Sequence, residues 1–150
     1  MTLRNYVPED FERICEIDRL CFPPRIAYSA GEIAATLQER GIIVVVGAPV
    51  GVEDQRVAGF VLARKEPRAH GHIITIDVLP EFRLAGLATR LMTEAHHRLK
   101  EAGVKRVHLE TSVENAPAIA FYRKLGYSNL RRLKGYYLGE IDAYLMVKDL

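Results

Sequence analysis

The amino-acid sequence predicts an α/β fold: a mixed sheet flanked by helices, in one domain spanning residues 1–150. Three observations predict it. Short β-branched runs alternate with segments whose apolar residues recur near the helical period. A strand signal at 72–79 runs through a short loop directly into a long helix signal. The chain's 150 residues, 49% hydrophobic and 27% charged, suit one soluble core rather than two domains or a disordered chain.

The elements follow in order. Thr2 to Tyr6 is a short strand. Pro8-Glu9-Asp10 opens a helix with Phe11, Ile14, Ile17 and Cys21 on one stripe, and Phe22-Pro23-Pro24 ends it, because prolines cannot continue a helix. Ser29-Ala30-Gly31-Glu32 has the capping-box form, and Ile33, Ala34 and Leu37 give the second helix its apolar face up to Gly41. Ile42 to Val46 is unbroken and largely β-branched, a buried strand. Arg56 to Arg64 and His72 to Leu79 are two more strands, joined by a turn at 66–71. A long helix runs from about Gly86 to Ala102, with Gly103 beyond its end. Val104 to Thr111 is a strand, and Asn115-Ala116-Pro117 starts a helix that Gly126 ends. Tyr127 to Tyr137 and Ala143 to Val147 form a closing hairpin around Leu138-Gly139-Glu140.

Composition excludes several classes. Lys+Arg of 21 against Asp+Glu of 19 gives +2, too small an excess for a polycationic chain. The short basic cluster Arg131-Arg132-Lys134 lacks any nucleic-acid module, so no nucleic-acid partner is expected. Two cysteines do not make a disulfide framework. The histidines, at 70, 72, 96, 97 and 108, lie far from both, so zinc spacing is missing and no metal site is expected. The N-terminus lacks an apolar signal region and the longest apolar run is too short to span a bilayer. The expected address is the cytoplasm, without a membrane partner. No motif speaks to the oligomeric state.

The most informative stretch is His72 to Thr89. Its strand–loop–helix ends on Arg83-Leu84-Ala85-Gly86-Leu87-Ala88, where small residues surround the first helical turn. The first four N–H groups of a helix lack internal acceptors and carry the positive end of its dipole, so phosphate can sit there on backbone donors, with Arg83 adding a permanent charge. An ordinary strand-to-helix turn with a packing glycine is the alternative. The hexapeptide resembles the (Arg/Gln)-x-x-Gly-x-(Gly/Ala) acetyl-CoA signature of the GNAT acyltransferases. The likeness continues through Leu109-Glu110-Thr111, Asn115, Ala118-Ile119-Ala120-Phe121-Tyr122 and Lys124-Leu125-Gly126-Tyr127.

The resemblance implies the GNAT fold: a mixed, mostly antiparallel sheet with one splayed strand pair that holds acetyl-CoA as cosubstrate, and no metal. It implies that Ile76, Asp77 and Val78 bond pantetheine through their backbones. It further implies that Arg83, Leu84, Ala85, Gly86, Leu87, Ala88 and Thr89 cradle the pyrophosphate, and that Asn115 contacts the cofactor. Leu84-Ala85 stands where many members carry basic residues. In the ribosomal-protein N-terminal acetyltransferase (RimI-like) group, which the tail Leu133 to Met146 resembles, a glutamate at the position of Glu110 is the base. A tyrosine at the position of Tyr122 is the acid there, and residues at the positions of Phe22, Tyr136 and Tyr137 frame a peptide. By residue type alone, Glu110 is equally a solvent-facing carboxylate, Tyr122 a packed aromatic, Asn115 a helix cap and the Tyr-Tyr pair strand packing.

The acceptor therefore stays open between a protein N-terminal α-amine and a lysine or small-molecule amine. A non-catalytic acetyl-CoA sensor is the reading from another class. A narrow slot under the tail hairpin is expected for a peptide, and several acidic residues for a polyamine. Cys15 and Cys21 lack the accompanying groups of a nucleophilic cysteine.

Overall fold

The computed structural model describes every residue except Asp54 and, at Leu84, the backbone alone, so any contact of the Leu84 side chain lies outside the described residues. Its strands are β1 (Thr2–Asn5), β2 (Ile42–Ala48), β3 (Gly59–Glu66), β4 (His70–Val78), β5 (Arg106–Ser112), β6 (Ser128–Tyr137) and β7 (Ile141–Asp149). Its helices are α1 (Phe11–Cys21), α2 (Ala30–Leu37), α3 (Leu87–Glu101) and α4 (Ala116–Lys124), with short 3₁₀ segments at Pro8–Asp10 and Pro80–Ala85. The element order and the mixed sheet expected from the sequence are both present. Among the described residues no helix is long and apolar enough to cross a membrane.

The seven strands lie in the order β1-β2-β3-β4-β5-β7-β6. Every neighbouring pair is antiparallel except β4 and β5, which run parallel. Alternation along β3 sends Phe60 and Leu62 to one face and Val61 and Ala63 to the other, and all four are buried. One face carries α3, whose Leu87, Leu91, Ala95 and Leu99 recur every fourth residue and pack with Val45, Val61, Ile73, Val107 and Met146. The other carries α1 and α2, with Ile14, Ile17 and Ile33 against Val46, Phe60 and Leu62. Truncating a fully buried leucine such as Leu91 to alanine costs about 2–5 kcal/mol.

Local chemistry sets the element ends. Ser29 Oγ accepts from the Glu32 N–H at 3.1 Å and Glu32 Oε1 accepts from the Ser29 N–H at 3.0 Å, the expected capping box. Several strand ends differ from expectation. Val57 and Ala58 are buried but precede β3, while β4 starts two residues earlier than expected, at His70. The chain turns more tightly there than glycine punctuation suggested, because Arg68 and Ala69 both take left-handed φ, at 64° and 56°. The Ala69 carbonyl then accepts the Lys105 N–H at 2.7 Å, which leads the chain into β5 at Arg106 rather than Val104.

Candidate active site

The site begins where β4 and β5 part. Their ladder has three pairs: His70 with Arg106, Gly71 with Val107 and His72 with His108. Beyond it β4 stays with β3 as far as Val78, and β5 stays with β7 as far as Ser112. A gap therefore opens between residues 73–78 and 109–112, lined on both sides by strand edges.

A bulge aims the residues of this gap. Leu62 pairs with Thr75 and Ala63 with Ile73, leaving Ile74 as an extra residue. Beyond it Thr75 and Asp77 share the α1 face with Leu62 and Phe60. There Asp77 meets the buried Asp18 of α1. Thr75 Oγ1 donates to Asp77 Oδ1 at 2.6 Å, and Asp18 Oδ2 accepts from the Tyr28 N–H at 2.7 Å. The other oxygen of each carboxyl, Asp18 Oδ1 and Asp77 Oδ2, is buried with no further partner among the described residues. Burial, then the bond to Asp18, holds Asp77 well above the usual carboxylate range. Its side chain thus ties the α1–α2 loop to the gap, a role beyond the expected backbone contact.

At the end of β4 the Val78 carbonyl accepts from Arg83 Nε at 2.9 Å and from Cys21 Sγ at 3.4 Å. Arg83 is thus anchored on the strand end. Gly86 follows with φ 76°, a conformation that favours glycine, and a Cβ built there meets nothing within 4 Å. The glycine is needed for its backbone turn, not for packing. Across this start the Arg90 N–H bonds Gly86 O at 3.1 Å, so the N–H groups of Leu87, Ala88 and Thr89 precede the first helical bond. Gly59 holds α3 close: a Cβ there would lie 2.9 Å from Asp77 O and 3.2 Å from Leu87 Cδ2. Amides at a helix start are donors for an anion. Asn115 caps α4, its Oδ1 accepting from the Ala118 N–H at 3.2 Å.

Glu110 stands on the α1–α2 side of β5, inside a cluster. His72 Nε2 lies 2.8 Å from Glu110 Oε2, and His108 Nε2 lies 3.3 Å from Oε1. His70 Nε2 meets His108 Nδ1 at 2.7 Å, and the His72 and His108 rings stack at 4.2 Å. Burial pushes the Glu110 carboxyl up, but the two imidazoles outweigh it and hold it down at about 2. Tyr122 of α4 is partly buried against Phe121 and Tyr127. Burial, then the charge of Asp77, pushes its hydroxyl up, so it stays protonated. Burial likewise pushes up both the Cys15 and Cys21 thiols.

The α1–α2 loop and the β6–β7 hairpin come together near Glu110. Arg25 of the loop reaches Glu140 of the hairpin at 3.5 Å. Tyr136 and Tyr137 meet edge to face at 4.9 Å. Tyr28, which the sequence reading did not single out, is pushed up to about 12 by burial, then by Tyr136 and Glu110. Phe22 sits at the start of the loop, its N–H bonded to Asp18 O at 3.1 Å. Tyr28, Tyr136 and Tyr137 all lie close enough to Glu110 for its charge to act on their hydroxyls.

His72 and His108 were counted in the sequence only as scattered histidines. The signal was present in pieces: His70 and His72 alternate along one strand, His108 and Glu110 along another. Only the parallel register, which joins residues 38 apart, brings them together.

A splayed parallel pair with helix-start amides beyond the end of β4 defines an acyl-CoA acyltransferase scaffold. The Acetyltransferase (GNAT) family profile matches residues 11–127, and the chain belongs to that family. It is 34% identical to an N-alpha-acetyltransferase of Saccharolobus solfataricus, covering 99% of this chain and 93% of that protein. Its fold is similar to that of Ard1 from Thermoplasma volcanium, at TM-score 0.88 and 26% identity over 99% of this chain and 97% of that one. It is also similar to the ribosomal-protein-S18-alanine N-acetyltransferase of Escherichia coli, at TM-score 0.86 and 22% identity over 99% and 92%.

Proposed function

We propose that this chain is an N-α-acetyltransferase that moves the acetyl group of acetyl-CoA onto the α-amine of a protein N-terminus. Its full-length relative is an N-alpha-acetyltransferase. What supports this choice of acceptor is the meeting of the α1–α2 loop with the β6–β7 hairpin, Arg25 beside Glu140, and the nearness of Tyr28, Tyr136 and Tyr137 to Glu110. A polyamine would need free carboxylates, whereas Glu140 is engaged by Arg25, and Asp18 and Asp77 are buried, Asp77 being held well above the usual carboxylate range.

The cradle at Arg83–Thr89 takes the pyrophosphate, and pantetheine lies in the gap against the backbone of Ile76, Asp77 and Val78. The Val78 N–H faces the thioester carbonyl, and Asn115 flanks the cofactor. Phe22, Tyr28, Tyr136 and Tyr137 hold the peptide end. A free α-amine has a pKa of about 7.7–8.0, so it needs only modest help to lose its proton. That proton leaves through water to the cluster of Glu110, His72 and His108, and an imidazolium forms beside a permanent carboxylate. Glu110 thus stabilises the protonated imidazole rather than keeping the proton itself. The amine attacks the thioester carbonyl, and the tetrahedral intermediate expels the thiolate, which takes a proton from Tyr122; the phenolate then recovers the second proton of the acylated nitrogen. The cytoplasm, where both substrates are at hand, is the compartment this reading assigns, and a ribosomal-protein N-terminus is one acceptor of the required kind.

Two measurements on the purified chain test the reading. Acetyl-CoA at about 100 times its Kd stabilises the fold by roughly 2.7 kcal/mol in a melting experiment. Mass spectrometry then finds the acetyl group on the α-amine of an offered peptide. Absence of cofactor-dependent stabilisation sinks the cofactor site, and acetylation confined to lysine side chains sinks the acceptor assignment.

A further inference from the structure

We propose that His72, His108 and Glu110 form a binding site for a divalent transition-metal ion, zinc by the chemistry of its ligands. Each offers one donor atom, and the three donors lie within 4.8 Å of one another. Two imidazoles and a carboxylate are a zinc-binding set that leaves a fourth position for water. Ligand bonds near 2.0–2.1 Å place tetrahedral donors roughly 3.3 Å apart. His72 Nε2 stands 2.8 Å from Glu110 Oε2 and His108 Nε2 3.3 Å from Oε1, each near that spacing from its own carboxylate oxygen. The three side chains are 14–18% exposed, open enough for an ion to enter and largely shielded once it has.

The surroundings support His108 as a ligand. With its Nε2 on the ion, its Nδ1–H donates to His70 Nε2 at 2.7 Å, and metal-bound imidazoles usually make such an outer bond. Arg64 works against the ion, since its Nη2 faces His72 Nδ1 at 3.4 Å and opposes the tautomer that frees Nε2. Glu39 and Glu66 already hold Arg64 and can keep it when that contact opens. A second triad, Glu66, His70 and His108, shares His108. It is the poorer site, because Arg64 occupies Glu66 and the charge of Arg106 acts on His70.

An ion at Glu110 and His72 occupies the groups that receive the amine's proton, so it blocks acetyl transfer; this consequence rests on the function proposed above. Binding is therefore measured first, without substrates. Zinc is titrated into the full chain by calorimetry, and cobalt(II) reports ligand geometry by its visible absorption. The expected result is one ion per chain with a tetrahedral cobalt spectrum. His72→Gln and His108→Gln each lose more affinity than the roughly 10–100-fold that follows loss of an outer partner, as in His70→Phe. Arg64→Gln, which offers a carbonyl to His72 Nδ1–H, tightens binding. No binding, unchanged affinity in both glutamine variants, or a larger loss in His70→Phe than in His72→Gln overturns the site. Binding that behaves as expected but leaves the transfer rate untouched supports the site and refutes the role given to Glu110.

Discussion

Replacing Glu110 by glutamine keeps the side chain's shape and removes its charge. In the native chain the carboxylate lies 2.8 Å from His72 Nε2 and 3.3 Å from His108 Nε2. For an imidazolium whose charge centre is about 4 Å from the carboxylate, the attraction is roughly 4 kcal/mol at an effective dielectric constant near 20. Arg64, also beside His72, offsets part of it. Positioned acid–base groups contribute about 10²–10⁴ in rate, so kcat/KM for a peptide should fall about 10²–10³-fold in Glu110→Gln. The KM for acetyl-CoA should be unchanged. A carboxyl held at about 2 stays ionised through any practical assay, so the loss should be of similar size at every pH near neutrality. Thiol release from acetyl-CoA, followed across neutral pH with a free N-terminal peptide, measures it. A variant with full turnover refutes the proton-handling scheme.

Other variants probe separate parts of the account. Tyr122→Phe should slow turnover with little change in acetyl-CoA affinity, and equal turnover removes its role as acid. Gly86→Ala should cost about 1–2 kcal/mol of stability, because φ is 76° there, and should weaken cofactor binding at the cradle. Asp77 keeps a proton in the folded chain that the unfolded chain gives up, so stability falls as pH rises from the ordinary carboxylate range toward the folded value. Asp77→Asn removes that loss while still offering a donor to Asp18. Its Tm should exceed that of the native chain at neutral pH and converge with it near about pH 4. Ala69→Gly, at φ 56°, should stabilise by about 1 kcal/mol, read from denaturant unfolding.

The fold was legible in the sequence because its local signals agree with one another. Ser29 and Glu32 announce α2, the run at Ile42 announces β2, and the i,i+4 leucines of α3 announce the face it buries. Strand ends were less legible, since left-handed φ at Arg68 and Ala69 carries no glycine signature. Within the site, Glu110 and Tyr122 were reached by family resemblance, and Gly86 by its place in a phosphate loop. His72, His108, Asp18 and Tyr28 were not reached, because their meaning is tertiary. The histidines acquire a partner only through the parallel register of β4 and β5. Asp18 acquires one only because the bulge at Ile74 turns Asp77 toward α1.

The central claim is transfer to an α-amine, and one competition tests it most directly. Two peptides of the same sequence are offered together with acetyl-CoA: one has a free N-terminus and no lysine, the other a blocked N-terminus and one lysine. Acetylation of the free N-terminus alone, at a rate matching thiol release, is the result predicted here. Preferential acetylation of the lysine would contradict it.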